Sequence, residues 1–344
     1  MIRLALPLLA ALGLALPLAA QQLPAQFVDA EARWVAHVDV GGVFKSELLR
    51  HVLNTEGVDV SSDELIEMAS AYDLDPGRDI RSITVYGTEE DPERAVALVS
   101  GTAALSKAID HLLVALKRTE VSANGVTLHR WREREGGDDS IYTYMASKAD
   151  TDERVLIVSA QPEVVARAVA VVRGERSSLS GSDPSLTRTP APGTLFFATV
   201  SESLLKQLDL DGDAPMQVTE MVRGVRVEFG EHTGSTFLDA RVTTAQAAQA
   251  AQLLAIIEGG RAFLNLAASA EPEARKALPF VQRLAVQRDG SDVHLRLEYP
   301  TAELMTMLHE LSDGEFGHDV DIEFNTDFKQ PASDPKPAGS TGWR

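Results

Sequence analysis

Hydrophobic positions along the chain follow two spacings, and segments of both kinds are interleaved from residue 34 onward. In the first segment every second residue is apolar, so Trp34, Ala36, Val38 and Val40 share one face, as in a half-buried strand. Apolar residues three and four apart predict helices instead, most clearly over residues 102–118. Further strands are predicted at 80–86, 95–99, 126–132, 141–145, 155–158, 197–201, 222–227, 236–242 and 293–298, and further helices at 43–54, 63–72, 162–172, 204–208, 245–268 and after Pro300. Short strands interleaved with helices, without strict alternation, predict an α+β fold.

The same order of elements occurs twice. Residues 197–201 correspond to 35–39, and residues 222–227 correspond to 80–85. In both halves a later strand leads into a proline and a helix. The pattern predicts two tandem α+β repeats, each a twisted antiparallel sheet with helices on one face, in a ferredoxin-like arrangement. A chance match of common strand and helix patterns is the alternative.

The repeats set the predicted domain boundaries. A stretch rich in Ser, Pro and Gly separates them and contains few apolar residues, which predicts a linker. The C-terminal residues have a similar composition and predict a disordered tail. The predicted domains are a signal peptide at 1–20, a first repeat at 30–174, a linker at 175–192, a second repeat at 193–328 and the tail at 329–344.

The N-terminus carries the features of a secretory signal peptide. Arg3 precedes an uncharged stretch that ends with the small residues Ala19 and Ala20. Pro7 and Pro17 would interrupt a spanning helix, so cleavage after Ala20 is favoured over an uncleaved anchor, which is the alternative. We therefore expect a periplasmic or secreted protein that has no stable membrane anchor once the signal is removed.

Composition narrows the classes of partner and chemistry. The 344 residues contain 51 Asp and Glu against 32 Lys and Arg, a net charge of −19. This charge repels phosphate backbones, so we expect no nucleic-acid partner. The chain has no cysteine, which excludes disulfides, thiolate metal ligands and a cysteine nucleophile. Glycine-rich phosphate loops, nucleophile elbows and zinc-binding HExxH helices are also missing from the sequence, and we expect no cofactor.

Three polar side chains are candidates for catalysis. His37 and Asp39 lie two residues apart on the first strand and project from the same face, where Asp39 can orient His37 as a general base. This face lies opposite the apolar stripe of the strand, and the corresponding residues of the second repeat are Thr199 and Ser201. His129, on another strand, is the third candidate. The alternative is a polar pair that is solvated or covered by a helix.

Acidic residues in the second half have the spacing of a calcium-binding loop. Asp209, Asp211 and Asp213 occupy positions one, three and five of an EF-hand-like loop, and Glu220 occupies position twelve. Ala214 stands where such a loop requires a glycine. A solvated turn is the alternative, and we expect no metal to bind.

The exported start, the opening strand Trp34–Asp39 and the two-part layout resemble uncharacterised exported proteins of environmental, Planctomycetes-like bacteria. The resemblance covers most of the mature chain and implies export, but it brings no established activity. We predict an exported, non-enzymatic binding or structural protein of the cell envelope or extracellular space, with an unknown protein as its partner. The alternative is a secreted hydrolase with a site near His37 and Asp39.

Overall fold

The computed structural model describes residues 23–54, 73–115, 118–132, 140–147, 151–180, 184–206, 220–270 and 272–312. The predicted signal peptide, the predicted helix at 63–72 and the predicted tail lie outside these residues.

The described residues contain twelve strands and ten α-helices. The strands are β1 (Trp34–Asp39), β2 (Ile80–Gly87), β3 (Val96–Gly101), β4 (Thr119–Ala123), β5 (Val126–Arg132), β6 (Ser140–Ser147), β7 (Arg154–Ser159), β8 (Thr194–Ser201), β9 (Val222–His232), β10 (Ser235–Thr244), β11 (Ala285–Asp289) and β12 (Asp292–Pro300). The helices are α1 (Val40–Val43), α2 (Glu47–Asn54), α3 (Pro76–Asp79), α4 (Ala103–Ala115), α5 (Pro162–Val172), α6 (Pro184–Thr187), α7 (Glu202–Leu205), α8 (Ala247–Ala270), α9 (Pro272–Arg283) and α10 (Thr301–Ser312). Within this part of the chain, no helix is both long and apolar enough to cross a membrane.

All twelve strands belong to one antiparallel sheet, in the order β11-β12-β10-β9-β8-β1-β2-β3-β7-β6-β5-β4. Its combination with helices confirms the predicted α+β class. The expectation of a separate sheet in each repeat is wrong, because β1 pairs with β8 and joins the strands of both halves. In two separate sheets, β1 and β8 would each be an unpaired edge strand. The ferredoxin-like arrangement is not confirmed. In a ferredoxin-like fold, the first two strands of the chain are separated in the sheet by another strand. Here the first two strands, β1 and β2, pair directly with each other.

The pairing between β1 and β8 is centred on two alanines. Ala36 of β1 lies directly opposite Ala198 of β8. On its other side Ala36 lies opposite Val85 of β2, and Ala198 lies opposite Val227 of β9. The strands on either side of the β1–β8 seam therefore follow the same register.

The two sides of the sheet are named here after the residues of β1 that they carry, the His37 face and the Ala36 face. In the first half the main core lies on the His37 face, where Val35 is 1% exposed and shares a buried cluster with Leu98, Ile157 and Val169 of α5. The sequence analysis placed this face opposite the core. That expectation is wrong, because α5 packs on the side of the sheet opposite the apolar stripe of β1 and forms the main core there.

The Ala36 face carries two smaller cores. Val43 and Leu48 of the first helices pack with Val38 near the middle of the sheet. Ala250 and Leu253, both in the first half of α8, pack with Val293 of β12. Both faces of the sheet are thus partly covered, which makes the fold a layered α+β structure.

The segment predicted as a linker is packed against the His37 face. Leu179 and Leu186 are fully buried in the same cluster as Val35, and the Thr199 hydroxyl donates to the carbonyl of Ser185 at 3.4 Å. The low apolar content of this segment suggested a free connection, but two leucines are enough to anchor it to the core.

Candidate functional site

His37 is buried at the centre of the sheet. Only 2% of the residue is exposed. Its Nδ1 lies 2.8 Å from the Thr84 hydroxyl oxygen on β2, and which of the two donates depends on the histidine tautomer. The ring centroid lies 5.2 Å from that of Phe197 on β8. The His37 ring is therefore a packed part of the sheet and is not open to a dissolved substrate.

Asp39 ends β1 and begins the first helix. It is 8% exposed, and its Oδ1 accepts a hydrogen bond from the Gly42 backbone N–H at 2.8 Å. This is the geometry of a helix N-cap, which satisfies one of the free donors at the start of α1. The strand-to-helix turn thus gives Asp39 a structural role.

His129 lies far from the other two candidates. It belongs to β5, which is separated from β1 by β2, β3, β7 and β6, a distance of about 24 Å across the sheet. Its neighbour Leu128 is buried in the same cluster as Val35, so His129 projects from the Ala36 face. The structure does not bring His129 together with His37 and Asp39.

The calcium candidates fall mostly outside the described residues. Asp209, Asp211 and Asp213 lie outside them, and Glu220 is an exposed residue just before β9. In the ranges that the structure describes, no group of three or more His, Asp or Glu side chains is placed to hold a metal ion. The expectation about calcium stays a prediction.

Two cavities formed by the described residues lie away from the predicted site. A polar cavity of ≈ 210 Å³ is lined by Leu23, Pro24, Gln26, Arg81, Ser82, Ser100 and Glu153. An apolar cavity of ≈ 170 Å³ lies beside β9, β10 and β12. Both are below the size of about 300 Å³ from which small-molecule sites usually start, and neither includes His37, Asp39 or His129.

One row of directly opposed residues crosses the sheet on the His37 face. It runs through Thr84, His37, Phe197, Glu228, Asp239 and Arg296. The row is buried from β2 to β9, and it becomes partly exposed at β10 and β12. The same face therefore changes from a core at the centre of the sheet to an accessible polar surface toward β11.

At the inner end of this surface, Arg226 and Glu228 form a buried ion pair on β9. The Arg226 Nε donates to Glu228 Oε1 at 2.6 Å, and the side chains are 5% and 10% exposed. Glu228 Oε2 also accepts from the Thr194 hydroxyl at 2.9 Å and from the Ala191 N–H at 2.8 Å. The Arg226 guanidinium lies 4.4 Å above the ring of Phe197. A charge buried this deeply needs such partners, and the pair fixes the linker segment to β9.

Toward β11 the same side of the sheet carries a ladder of charges, here named the charged face. It consists of Asp239, Arg241, Asp292, His294, Arg296 and Glu298. Arg241 donates to Asp292 at 2.8 Å, an ion pair in which the two side chains are 20% and 23% exposed. Arg296 lies 3.5 Å from Asp239 and 3.2 Å from Glu298. Since α8 packs on Val293, the charged face lies on the opposite side of the sheet from α8.

His294 sits between the arginines of the charged face. Partial burial lowers its pKa, and the positive charge of Arg241 lowers it further, against the opposing effect of Asp239 and Asp292. The imidazole is therefore neutral at pH 7. It adds no charge to the charged face, and its Nε2 is buried without a hydrogen-bond partner among the described residues.

The residues of the charged face are not among the candidates that the sequence alone suggests. The sequence pattern predicts strands at 236–242 and 293–298 but does not indicate which residues of the two strands lie together. The ion pairs join residues up to 57 positions apart, as in Arg296 and Asp239. They form only because β10 and β12 are neighbours in the sheet, and the pattern within a single strand does not show which strand is its neighbour.

Comparisons with known proteins give no family. No protein-family model and no curated protein matches the sequence. Among solved structures the chain is similar to TP0453. Crystal form I of TP0453 is 8% identical, with a TM-score of 0.37, and the match covers 85% of this chain and 98% of that chain. Crystal form III is 6% identical, with a TM-score of 0.42, covering 84% and 98%, and crystal form IV is 7% identical, with a TM-score of 0.42, covering 84% and 97%.

Proposed function

We propose that the protein is an exported binding protein, not an enzyme, and that the charged face is its contact surface. The observation that carries this proposal is the ladder of ion pairs among Asp239, Arg241, Asp292 and Arg296 on the side of the sheet away from α8. Ion pairs that remain partly exposed contribute little to folding stability. Such side chains can exchange partners with another molecule at small cost.

The partner is expected to be a protein with a basic contact patch. A flat sheet surface suits a broad protein contact better than a small molecule, which needs a concave pocket. The chain carries a net charge of −19, so long-range attraction favours a partner of opposite sign. Arg241 and Arg296 are the anchor candidates, because arginine is enriched among the residues that dominate binding energy. Each is paired with a carboxylate of its own chain, and each would pair with a carboxylate that lies within the basic patch of the partner. Export places this partner in the envelope or the extracellular space.

We also propose that the two halves are a tandem duplication. The sequence comparison aligned Ala36 with Ala198 and Val85 with Val227. Ala36 lies opposite Val85, and Ala198 lies opposite Val227, so residues that correspond in sequence hold the same register within each half. Chance similarity of strand patterns would have no reason to give this agreement.

The hydrolase alternative receives no support from the candidate residues. His37 is covered, Asp39 caps α1, and His129 lies about 24 Å away on the other face. A general base must reach the proton that it removes to within about 3 Å. These three side chains cannot act on one substrate in this fold.

A comparison of two arginines tests the binding proposal. Arg296 and Arg283 are each 41% exposed, each ion-paired and each stacked on an aromatic ring, but only Arg296 belongs to the charged face. In cross-linking pull-downs from the native envelope, Arg296→Glu should lose the proteins that the wild type retains, and Arg283→Glu should retain them. High salt should also release them, because the attraction is electrostatic. Equal capture by both variants would contradict the proposal.

A further inference from the structure

A second surface lies on α8, beyond the part of the helix that packs on the sheet. Ala250 and Leu253 are buried against β12, whereas Ile256, Phe263 and Leu266 are 52%, 68% and 70% exposed. Spacings of seven and three residues place these three side chains on one side of the helix. Together with Gly259 and Gly260, which lie between Ile256 and Phe263 on the same side, they form what is named here the α8 stripe.

The two glycines leave a notch in the α8 stripe. Apart from the neighbouring residues and the backbone of α8 itself, a Cβ atom added at Gly259 or at Gly260 would meet no atom within 4 Å. Glycine in the middle of a helix costs about 1 kcal/mol relative to alanine, and no close packing of the described residues accounts for that cost here. The notch lies one helical turn from the exposed ring of Phe263.

The α8 stripe is electrically neutral in an acidic protein. Residues 247–270 contain one acid and one base, in a chain with a net charge of −19. These two residues, Glu258 and Arg261, form an ion pair at 3.2 Å. The α8 stripe therefore brings no like charges into direct contact when it meets a second α8 stripe.

We infer that the α8 stripe binds the α8 stripe of a second copy of this chain, in an antiparallel helix pair. A two-fold axis on the side of the α8 stripe, at the level of residue 261 along the helix, places Gly259 opposite Phe263 of the other copy, and Ile256 opposite Leu266. Each Phe263 ring then fills the glycine notch of its partner. Ile256, Phe263 and Leu266 are separated by seven and three residues, which are spacings of the apolar positions in coiled coils. A different protein would have to supply both a protruding ring and a matching notch, whereas the second copy has both.

The exposed area fits a reversible dimer. Ile256, Phe263, Leu264 and Leu266 are 39–70% exposed, which amounts to about 400 Å² of apolar surface in each copy. A standard stable interface buries about 800 Å² of each partner, and smaller ones are transient. The charged face lies on the side of the sheet opposite α8, so a dimer formed through α8 would leave both charged faces exposed. Two such faces would bind a partner that carries repeated copies of the same contact patch more tightly than one face does.

Sedimentation velocity over a wide concentration range tests the dimer. The wild type should shift from monomer to dimer as its concentration rises. Phe263→Glu, and Gly259→Leu, which fills the notch with a good helix former, should each raise the dimer Kd about tenfold or more. Val114→Glu is the matched control, because Val114 of α4 is 69% exposed and lies outside the stripe; it should dimerise like the wild type.

Disulfide cross-linking tests the register of the helix pair. Because the chain has no cysteine of its own, any disulfide must form between the introduced residues. A chain with both Ile256→Cys and Leu266→Cys should form an intermolecular disulfide on mild oxidation. Each single variant should not, because equivalent positions of the two copies are about 15 Å apart along the helix axes. Self-linking by Ile256→Cys alone would indicate parallel pairing and overturn the proposal.

Two further results would overturn the dimer, and neither concerns the charged face. One is a monomeric wild type at every concentration. The other is a monomer that floats with phosphatidylcholine vesicles and loses this property in Phe263→Glu, which would make lipid the occupant. Arg296→Glu should dimerise normally, so loss of the envelope partner and loss of the dimer are separate outcomes.

Discussion

Asp29 and Arg167, which lie 138 positions apart in the sequence, form an ion pair of 2.6 Å between Oδ2 and Nε. Asp29 is nearly inaccessible, with 2% of its side chain exposed. Burial by itself raises the pKa of Asp29, but hydrogen bonds from Arg167 and from the Glu31 N–H, together with the charge of Arg176, lower it overall. The pair ties the segment before β1 to α5, which covers the main core.

Removing Arg167 should therefore destabilise the protein strongly. Arg167→Leu leaves the Asp29 carboxylate buried with the Glu31 N–H at 2.9 Å and the longer 3.5 Å contact to Arg176, and we expect a loss of about 2–4 kcal/mol in the free energy of unfolding. Arg173→Leu is the control, because the contacts of Arg173, to the Tyr144 hydroxyl at 3.0 Å and to Glu175 at 3.9 Å, are exposed on the surface; it should cost less than about 1 kcal/mol. Urea unfolding measures both, and equal effects would show that Asp29 does not depend on Arg167.

Asp79 should contribute stability that is lost in acid. Hydrogen bonds from Arg78 outweigh the effect of burial and, with those from the Asp75 N–H and the Thr102 hydroxyl, lower the pKa of Asp79 from 3.8 to about 2. A lowered pKa stabilises the folded state above pH 3.8, and this stability disappears as the pH falls toward 2. Arg78 is 70% exposed, so solvent weakens the pair.

The variant Asp79→Asn measures this contribution. Near pH 7 we expect it to be less stable than the wild type by about 1–2 kcal/mol. The difference should shrink between pH 4 and pH 2, as the wild-type carboxyl becomes protonated. A difference that stayed constant down to pH 2 would assign the effect to packing instead of charge.

Glu231 should show the opposite dependence on pH. It is fully buried on β9 beside the start of α2, and neither carboxylate oxygen makes a hydrogen bond of standard geometry. Burial raises the pKa of Glu231, and the negative charge of Glu47 raises it further, against the opposing effect of the Leu48 and Glu47 backbone N–H groups. A raised pKa favours the folded state at low pH, and this advantage is lost as the pH rises above about 4.5.

We therefore expect Glu231→Gln to stabilise the protein at neutral pH by about 1–3 kcal/mol, because the amide keeps the shape of the side chain without the buried charge. Thermal unfolding of the variant and the wild type should converge near pH 4. Stabilisation that did not change with pH would count against a charge effect. Destabilisation at pH 7 would mean that α2 depends on the carboxylate at its N-terminus.

Gly87 should be required for the position of Trp34. The two residues lie opposite each other in β2 and β1, and a Cβ at Gly87 would come within 2.4 Å of Trp34 Nε1. Gly87→Ala should therefore displace the indole from its 3.0 Å hydrogen bond to the Glu89 carbonyl, shift tryptophan fluorescence and cost about 1–3 kcal/mol. Gly224→Ala is the control, since the nearest atom to a Cβ there is 3.4 Å away.

Most strands and long helices follow from the sequence. Residues 126–132 and 162–172 were predicted with the bounds of β5 and α5, because strand and helix spacing is unambiguous where one side is buried. The edge strands β4 and β11 were missed, since they are short and mostly exposed and carry little apolar signal. Helix α9 was missed as well, and Pro279 lies inside it.

The site was less predictable than the fold. The alternation in β1 placed His37 on a polar side, but a strand with both faces covered hides such a residue whatever its pattern. Leu179 and Leu186, which cover that face, lie about 140 residues further along the chain. The charges of β10 and β12 meet because these strands are neighbours in the sheet. The order of strands depends on the packing of the whole sheet, so the pattern within one strand does not predict these ion pairs.

The alanine pair at the seam has a consequence for how this chain arose. In an antiparallel pair, a residue that faces its own equivalent marks a two-fold axis, and Ala36 faces Ala198, with which it was aligned. A single ancestral half would have left β1 as a bare edge, and an edge strand is a template for another copy of itself. The same register would pair residue 36 with residue 36 of a second subunit. Under the tandem duplication proposed above, this register is the one that two equivalent subunits would share, and the segment that carries Leu179 and Leu186 is the connection that fused them.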